Sequence, residues 1–333
     1  MVGITKMKAE KQKAEKEAFF CTTKELSRLG LEQIPTQFQS HKHLIYSSPA
    51  TLAFNSPGAE GFGVKRAGLA VPDSIMLIVA PGCCGRNTSL ISSMKEYNDR
   101  FYYLMMDETD IVTGRHLKKI PKAVEEICSV CPKKPSVVMI CITCVDALLG
   151  TDMERVCKKA EEQVEIPVRP CYMYALTREG RKPPMVHVRQ SLYSLLEPGK
   201  KKGNVVNLLG FFSPLVDDCE IYDLLHSAGV KTIHEISRCK DYEEYQTMSQ
   251  ANFNLVLHPE ARFAAEDFHD RLKIPYIELR RLYQIDKIGS QYQAFGAALG
   301  IEFHVEEQKK QAQEAIESFR KVCPDPVFAV GEC

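Results

Sequence analysis

From residue 70 onward the chain alternates short, continuously apolar runs with stretches of helical periodicity, and this alternation limits its fold more than any other feature. The apolar runs Ile75–Ala80, Tyr102–Met106, Val137–Ile142 and Ile166–Tyr172 read as strands, and Leu117–Val130 and Val145–Glu162 between them read as helices. Strands with no polar alternation are buried on both faces, the condition of a parallel sheet covered by crossover helices. The polar run Pro198-Gly-Lys-Lys-Lys-Gly-Asn204 reads as a hinge, after which the alternation restarts. Strands are expected at Val205–Leu209, Thr232–Ile236, Phe253–His258 and Pro275–Leu279. Helices are expected at Cys219–Ala228 (closed by Gly229), Tyr242–Ser249 and Ala261–Leu272. Residues 286–320 read as helical, Glu302–Arg320 being a charged amphipathic run, and Val327–Val330 resembles the first strand of a further βα unit. The expected fold class is α/β, with two doubly wound, parallel-sheet, Rossmann-like domains and a partial third. The expected boundaries are an N-terminal helical arm at 1–40, a first α/β domain at 41–200, a second at 201–300, and a helix with the start of a truncated third unit at 301–333.

Two pairs of cysteines follow the predicted strands. Cys83-Cys84 ends the run that begins at Ser74, and Cys141 and Cys144 end the run that begins at Ser136. In an open parallel sheet, ligands bind in the crevice beyond the carboxyl ends of the strands. Thiolates gathered there suit a soft metal centre, and iron–sulfur clusters are held mainly by cysteine. Cys141-Ile-Thr-Cys144 by itself fits a zinc half-site or a redox dithiol as well. A second C-x-x-C, Cys128-Ser-Val-Cys131, ends a predicted helix before Pro132 and reads as structural.

Composition narrows the function classes. The chain has 43 basic and 43 acidic residues, so no global field favours nucleic acid or a membrane surface. No apolar run is long enough to span a bilayer, and the charged N-terminus lacks a signal-peptide core, so the expected compartment is the cytoplasm. The 13 cysteines are an odd count in a chain with no export signal, which argues against a disulfide framework. No P-loop occurs, and the cluster Gly61-Phe-Gly63 to Gly68 has the wrong spacing for a dinucleotide fingerprint. No paired-carboxylate, Ser-His-Asp or His-Glu-x-x-His signature is present.

The segment Ile142-Thr-Cys144-Val-Asp-Ala-Leu-Leu-Gly150-Thr-Asp152 resembles the Thr-Cys-x-x-x-x-Ile-Gly-Asp-Asp signature of the nitrogenase component 1 family, and Ala80-Pro-Gly-Cys83 resembles its Gly-Pro-x-Gly-Cys loop. That family includes nitrogenase catalytic proteins, cofactor-assembly scaffolds and tetrapyrrole reductases. Asn207-Leu-Leu-Gly210-Phe-Phe-Ser-Pro, Asp223-Leu-Leu-His-Ser-Ala-Gly-Val230, Asn254-Leu-Val and Lys273-Ile-Pro-Tyr-Ile-Glu278 resemble further family runs in the same order. The likeness covers roughly residues 45 to 330.

By this resemblance, Cys83 and Cys144 match cysteines that ligate an iron–sulfur cluster, [4Fe–4S] or larger, shared at a subunit interface. The family also has a ligand cysteine upstream of the first loop. Here that region reads His43-Leu-Ile-Tyr-Ser47-Ser48, and Cys84 or Cys141 is the candidate stand-in. His258 falls near the position of a cofactor-ligating cysteine, as metal ligand or as structural histidine, and His187 lies where the family has cavity-lining side chains. His258 and His187 are thus the catalytic candidates, and His234 and Cys239 are weaker ones facing the second crevice. The inter-domain crevice would take a second metallocofactor or a tetrapyrrole. The implied activity is that of an oxidoreductase component taking low-potential electrons from an ATP-dependent, iron-protein-like reductase. The alternative is a scaffold for metallocofactor assembly without turnover, and a blander one a zinc-stabilised or cluster-free interaction subunit. The implied assembly is a homodimer, or a heterotetramer with a related subunit.

Overall fold

The structure, a computed structural model, describes residues 63–81, 99–142, 149–172 and 182–326, with the single positions 28 and 97. In chain order its elements are α1 (Val64–Ala67), β1 (Ile75–Ala80), β2 (Phe101–Met105), α2 (Glu108–Thr113), α3 (His116–Val130), β3 (Val138–Ile142), α4 (Met153–Val164), β4 (Val168–Tyr172) and α5 (Pro184–Tyr193). There follow β5 (Val205–Leu209), α6 (Glu220–Ser227), β6 (Thr232–Glu235), α7 (Tyr242–Gln246), β7 (Phe253–Val256), α8 (Arg262–Leu272), β8 (Tyr276–Glu278), α9 (Ile285–Leu299) and α10 (Glu306–Val322). Two four-stranded parallel sheets result, in the orders β2-β1-β3-β4 and β6-β5-β7-β8. The α/β fold class read from the sequence is the one observed. Of the arm expected at 1–40 only position 28 is described, and the strand expected at Val327–Val330 lies outside the described residues.

The continuous apolar runs are explained by burial on both faces. In the first sheet, Ile75, Leu77, Val79, Val138, Ile140 and Ile142 pack against Ile120 and Val124 of α3 and Met153, Val156 and Ala160 of α4. The alternate residues Met76, Ile78, Ala80, Met139, Cys141 and Cys171 face the other way, in a cluster with Val64, Met185, Val188 and Leu192. Burying each such aliphatic side chain stabilises the fold by roughly 1.5–3 kcal/mol relative to exposure. That second cluster does not stop at the first sheet. It continues through α5 and α8, with Ala264, Ala265 and Phe268, to Leu209 and Val256 of the second sheet. The opposite face of the second sheet, with Val206, Leu208 and Leu255, is covered by Ile221, Leu224 and Leu225 of α6 and by Phe295 and Phe303.

Both sheets belong to one compact unit, Ser48–Gln313. The segment expected to be a hinge is pinned within it. Lys202 N–H donates to Gln250 O (2.9 Å), Lys201 Nζ donates to Ser249 O (3.0 Å), and Glu197 N–H donates to Gln246 Oε1 (3.1 Å). The helical stretch expected at 286–320 is two helices. Gly300 takes φ +75°, a left-handed conformation that ends α9 with little steric penalty because glycine has no Cβ. Residues 314–326 fall outside this unit, and α10 has no buried residue.

Candidate functional site

The first crevice lies beyond β1 and β3, adjacent strands in register as far as Val79 and Ile142. Cys83 follows the last residue of β1 by three positions, and Cys144 follows the last residue of β3 by two. Cys83, Cys84 and Cys144 themselves lie outside the described residues. Cys141 is described. It is fully buried on the face shared with Met139, opposite Cys171 of β4, to which it is hydrogen-bonded. The Cys171 thiol in turn donates to Val64 O at 3.4 Å, and burial holds it well above the usual thiol range. The structure therefore places Cys141 in a core thiol pair. Among the described residues no group of three or more His, Cys, Asp or Glu side chains could hold a metal ion.

The other C-x-x-C has the surroundings of a structural pair. Cys131 ends α3, and its Sγ lies 3.2 Å from the Tyr102 hydroxyl, a contact that with burial pushes the Tyr102 pKa up to about 12. Burial also raises the Cys128 thiol. A helix C-terminus likewise disfavours a thiolate, so Cys128 is not activated by its position.

The second crevice, beyond β5 and β7, is organised by a buried arginine. Arg189 of α5 is 1% exposed. Its Nε and one Nη donate to Gly210 O (3.1 and 2.6 Å), and the other Nη donates to Met185 O (3.0 Å) and Glu260 Oε2 (2.7 Å). The guanidinium also sits over the Phe212 ring, 4.7 Å from its centroid. A buried guanidinium needs such saturation, because a charge removed from water without partners is strongly destabilising. One side chain thus joins a helix packed on the first sheet to the strand ends of the second.

His258 lies against this network. Its Nδ1 accepts the Glu260 backbone N–H at 3.3 Å and is 3.8 Å from Glu260 Oε2, and its ring meets Phe211 edge to face at 5.8 Å. An accepting Nδ1 puts the neutral ring's proton on Nε2. Metal ligation through Nε2 would need the other tautomer, with Nδ1–H turned to the Glu260 carboxylate, the usual carboxylate–histidine support of a ligating imidazole. Gly210 has φ +146°, and a Cβ there would come within 2.8 Å of the His258 backbone nitrogen, so glycine is required for this approach. Arg281 lies over the same Phe211 ring at 5.9 Å.

His187 faces an open cleft of about 810 Å³ lined by α4, β4, α5 and Asp267 of α8. Its ring is edge-on to Tyr172 at 4.7 Å, and its Nδ1 is buried with no hydrogen-bond partner. Burial, reinforced by Lys182, lowers its pKa. No described contact joins His187 to His258. Of the weaker candidates, His234 sits on the edge strand β6 beside Asn207, with Nε2 3.4 Å from Thr247 Oγ1, and Cys239 donates its thiol to Glu235 O at 3.4 Å.

Sequence reasoning missed Arg189, Glu260 and the buried pair Asn207–Asn254, joined by an Nδ2–H···Oδ1 bond of 2.7 Å. Two of these left a signal: a charged residue among the apolar positions of Met185–Tyr193, and an asparagine within each of two central apolar strands.

The sequence model of a family described as nitrogenase component 1 type oxidoreductase matches residues 60–326. The nitrogenase iron-molybdenum cofactor biosynthesis protein NifE of Nostoc sp. is 26% identical over 284 residues, covering 81% of this chain and 58% of that relative. Its counterpart from Klebsiella pneumoniae is 25% identical over 267 residues, covering 75% and 58%. The chain therefore spans a little over half the length of these relatives. The solved structure of nitrogenase Cp1 at pH 6.5 superposes with a TM-score of 0.60 over 78% of this chain and 61% of that one, at 19% identity, a likeness of fold.

Proposed function

Because the chain belongs to the nitrogenase component 1 type oxidoreductase family, we propose that it is a scaffold on which an iron–sulfur cluster or larger metallocofactor is assembled and then handed on. The observation that carries this reading is that the relatives matched over most of this chain are named as cofactor biosynthesis proteins. Cys83 and Cys144 are the proposed ligands, on segments that leave neighbouring strands of one sheet. Thiolate sulfur there supplies the soft donors such clusters require. Cys84 and Cys141 are the candidates for further ligation, and the core position of Cys141 makes Cys84 the better placed in sequence. Two cysteines make half a cluster site, so a second copy or a related subunit completes it at an interface. A separate ATP-dependent, iron-protein-like reductase is the proposed electron source.

In the second crevice His258 is the proposed contact for the cargo, with Glu260 and Arg189 setting its orientation. What supports this role is the carboxylate 3.8 Å from Nδ1. The chain's own part is to hold, orient and release the cargo, and the proposal includes no substrate turnover.

Anaerobic purification with iron and sulfide analysis and EPR tests the reading. Cys83→Ser and Cys144→Ser should each lose most of the bound iron, and full iron content in both would overturn the assignment. Loaded protein should pass its metal to a cofactor-deficient acceptor in stoichiometric amount. Many rounds of small-molecule reduction with the ATP-dependent reductase, with no such transfer, would replace the scaffold by the electron-accepting oxidoreductase.

A further inference from the structure

Among the described residues, the floor of the 810 Å³ cleft is the outer edge of the first sheet, and side chains occupy part of that edge. The pairing of β3 with β4, in which Val138 N–H donates to Pro167 O, turns the backbone groups of Arg169 and Cys171 toward β3. Those of Val168 and Pro170 point outward into the cleft. A row of edge groups left without a strand partner is a template for another chain's strand, although Val168 and Pro170 are themselves buried beneath the cleft's side chains.

Both outward groups of Val168 and the donor position of Pro170 are nevertheless dealt with. The Val168 N–H donates to Glu161 Oε2 at 3.2 Å. The Val168 carbonyl accepts from Arg169 Nη1 at 2.9 Å, and the same Nη1 pairs with Glu161 Oε2. Pro170 has no N–H to offer. One ion pair, carried by α4 and by β4 itself, therefore occupies both outward backbone groups of Val168, and proline removes the next donor.

The second sheet needs no such device at the matching place. Just past β8, the Gln291 side chain of α9 donates to Arg280 O (3.0 Å) and accepts from Arg280 N–H (2.8 Å), so a helix side chain takes the position of a fifth strand. Among the described residues, the first sheet's edge faces the cleft instead.

We propose that Glu161, Arg169 and Pro170 form an edge guard that prevents a second copy of this chain from adding a strand along β4. The guard directs productive assembly to other surfaces while leaving the cleft open. Its two side chains are 38% and 27% exposed, so they can be changed without opening the core.

Sedimentation velocity on the full chain, with hydrogen exchange, tests the guard. The Glu161→Ala/Arg169→Ala double variant should self-associate at least about tenfold more tightly than the parent. Slowed exchange along Val168–Tyr172 should accompany the association. Adding Pro170→Thr should strengthen it, and the conservative pair Glu161→Gln/Arg169→Lys, which keeps an acceptor for Val168 N–H and a donor for its carbonyl, should retain parental behaviour. Unchanged sedimentation of a folded double variant would overturn the proposal. So would association without protection of β4, which reports loss of surface charge alone. If the alanine pair unfolds, the volume-keeping pair Glu161→Leu/Arg169→Met carries the same two readings.

Discussion

In the first sheet the central strands β1 and β3 are apolar and buried at every position, whereas the central strands of the second, β5 and β7, carry Asn207 and Asn254 side by side. The two sheets have the same strand order and nearly the same lengths. They differ in where polar chemistry is kept. The first holds an apolar layer to the strand ends and leaves its candidate ligands to the segments that follow. The second brings charge into its crevice, where Arg189, Glu260, His258 and the Gly210 carbonyl meet. An apolar sheet depends on packing, which tolerates loss in proportion to the volume removed. A polar crevice depends on complete satisfaction, and removing one partner leaves the others buried and unpaired.

The largest effect expected from this contrast is at Arg189. Arg189→Ala should lower stability by about 3–5 kcal/mol, because it leaves the Glu260 carboxylate and the Gly210 carbonyl without their donor. Urea unfolding measures the loss, and a value under about 1 kcal/mol would mean that packing holds the second crevice as it holds the first.

A smaller effect is expected at Asp110, whose charge is met locally on the first-sheet side. Its carboxylate caps α2 and accepts from Arg115 (2.7 Å) and Lys119 (2.6 Å), which hold its pKa well below the usual range. A depressed folded pKa contributes stability above the ordinary carboxylate value, about 4, and that stability is lost as pH falls through the folded value. Asp110→Asn should flatten the acid limb of the stability profile between pH 6 and pH 2. An unchanged acid limb would show that the pair carries no linkage.

The smallest effect is at His187. Its pKa is lowered, so the neutral form contributes above about pH 6.5 and stability falls as the pH drops below that value. His187→Phe keeps an edge contact with Tyr172 and removes the unpartnered buried Nδ1. It should raise stability by about 1 kcal/mol or less, more at pH 5 than at pH 8. A loss at both pH values would show that the imidazole has a partner in solution.

Local pattern accounts for what was legible. The strands at Ile75–Ala80 and Val205–Leu209 fall as read, and Tyr102–Met106 shifts by one residue. The strand read as Phe253–His258 stops at Val256, because His258 caps the turn that follows instead of extending the ladder. The helix Pro184–Tyr193 escaped notice, since His187, Arg189, Gln190 and Ser191 interrupt its apolar residues and leave little periodicity to detect. The placement of Cys83 and Cys144 after strands depends only on order along the chain, whereas Cys141, read with them at a strand end, lies inside β3.

The sequence by itself determined the alternation of strands and helices, the burial of both sheet faces and the position of Cys83 and Cys144 just past two strands. These follow from periods of two and 3.6 residues, which act over a few neighbours. Only the tertiary structure decided that Arg189 meets Gly210 and Glu260, 21 and 71 residues away, that Cys141 pairs with Cys171 in the core, and that Glu161 and Arg169 occupy part of the edge of β4. Such contacts arise because a buried polar group must find a partner wherever the fold brings one near, and no local pattern records which partner that is.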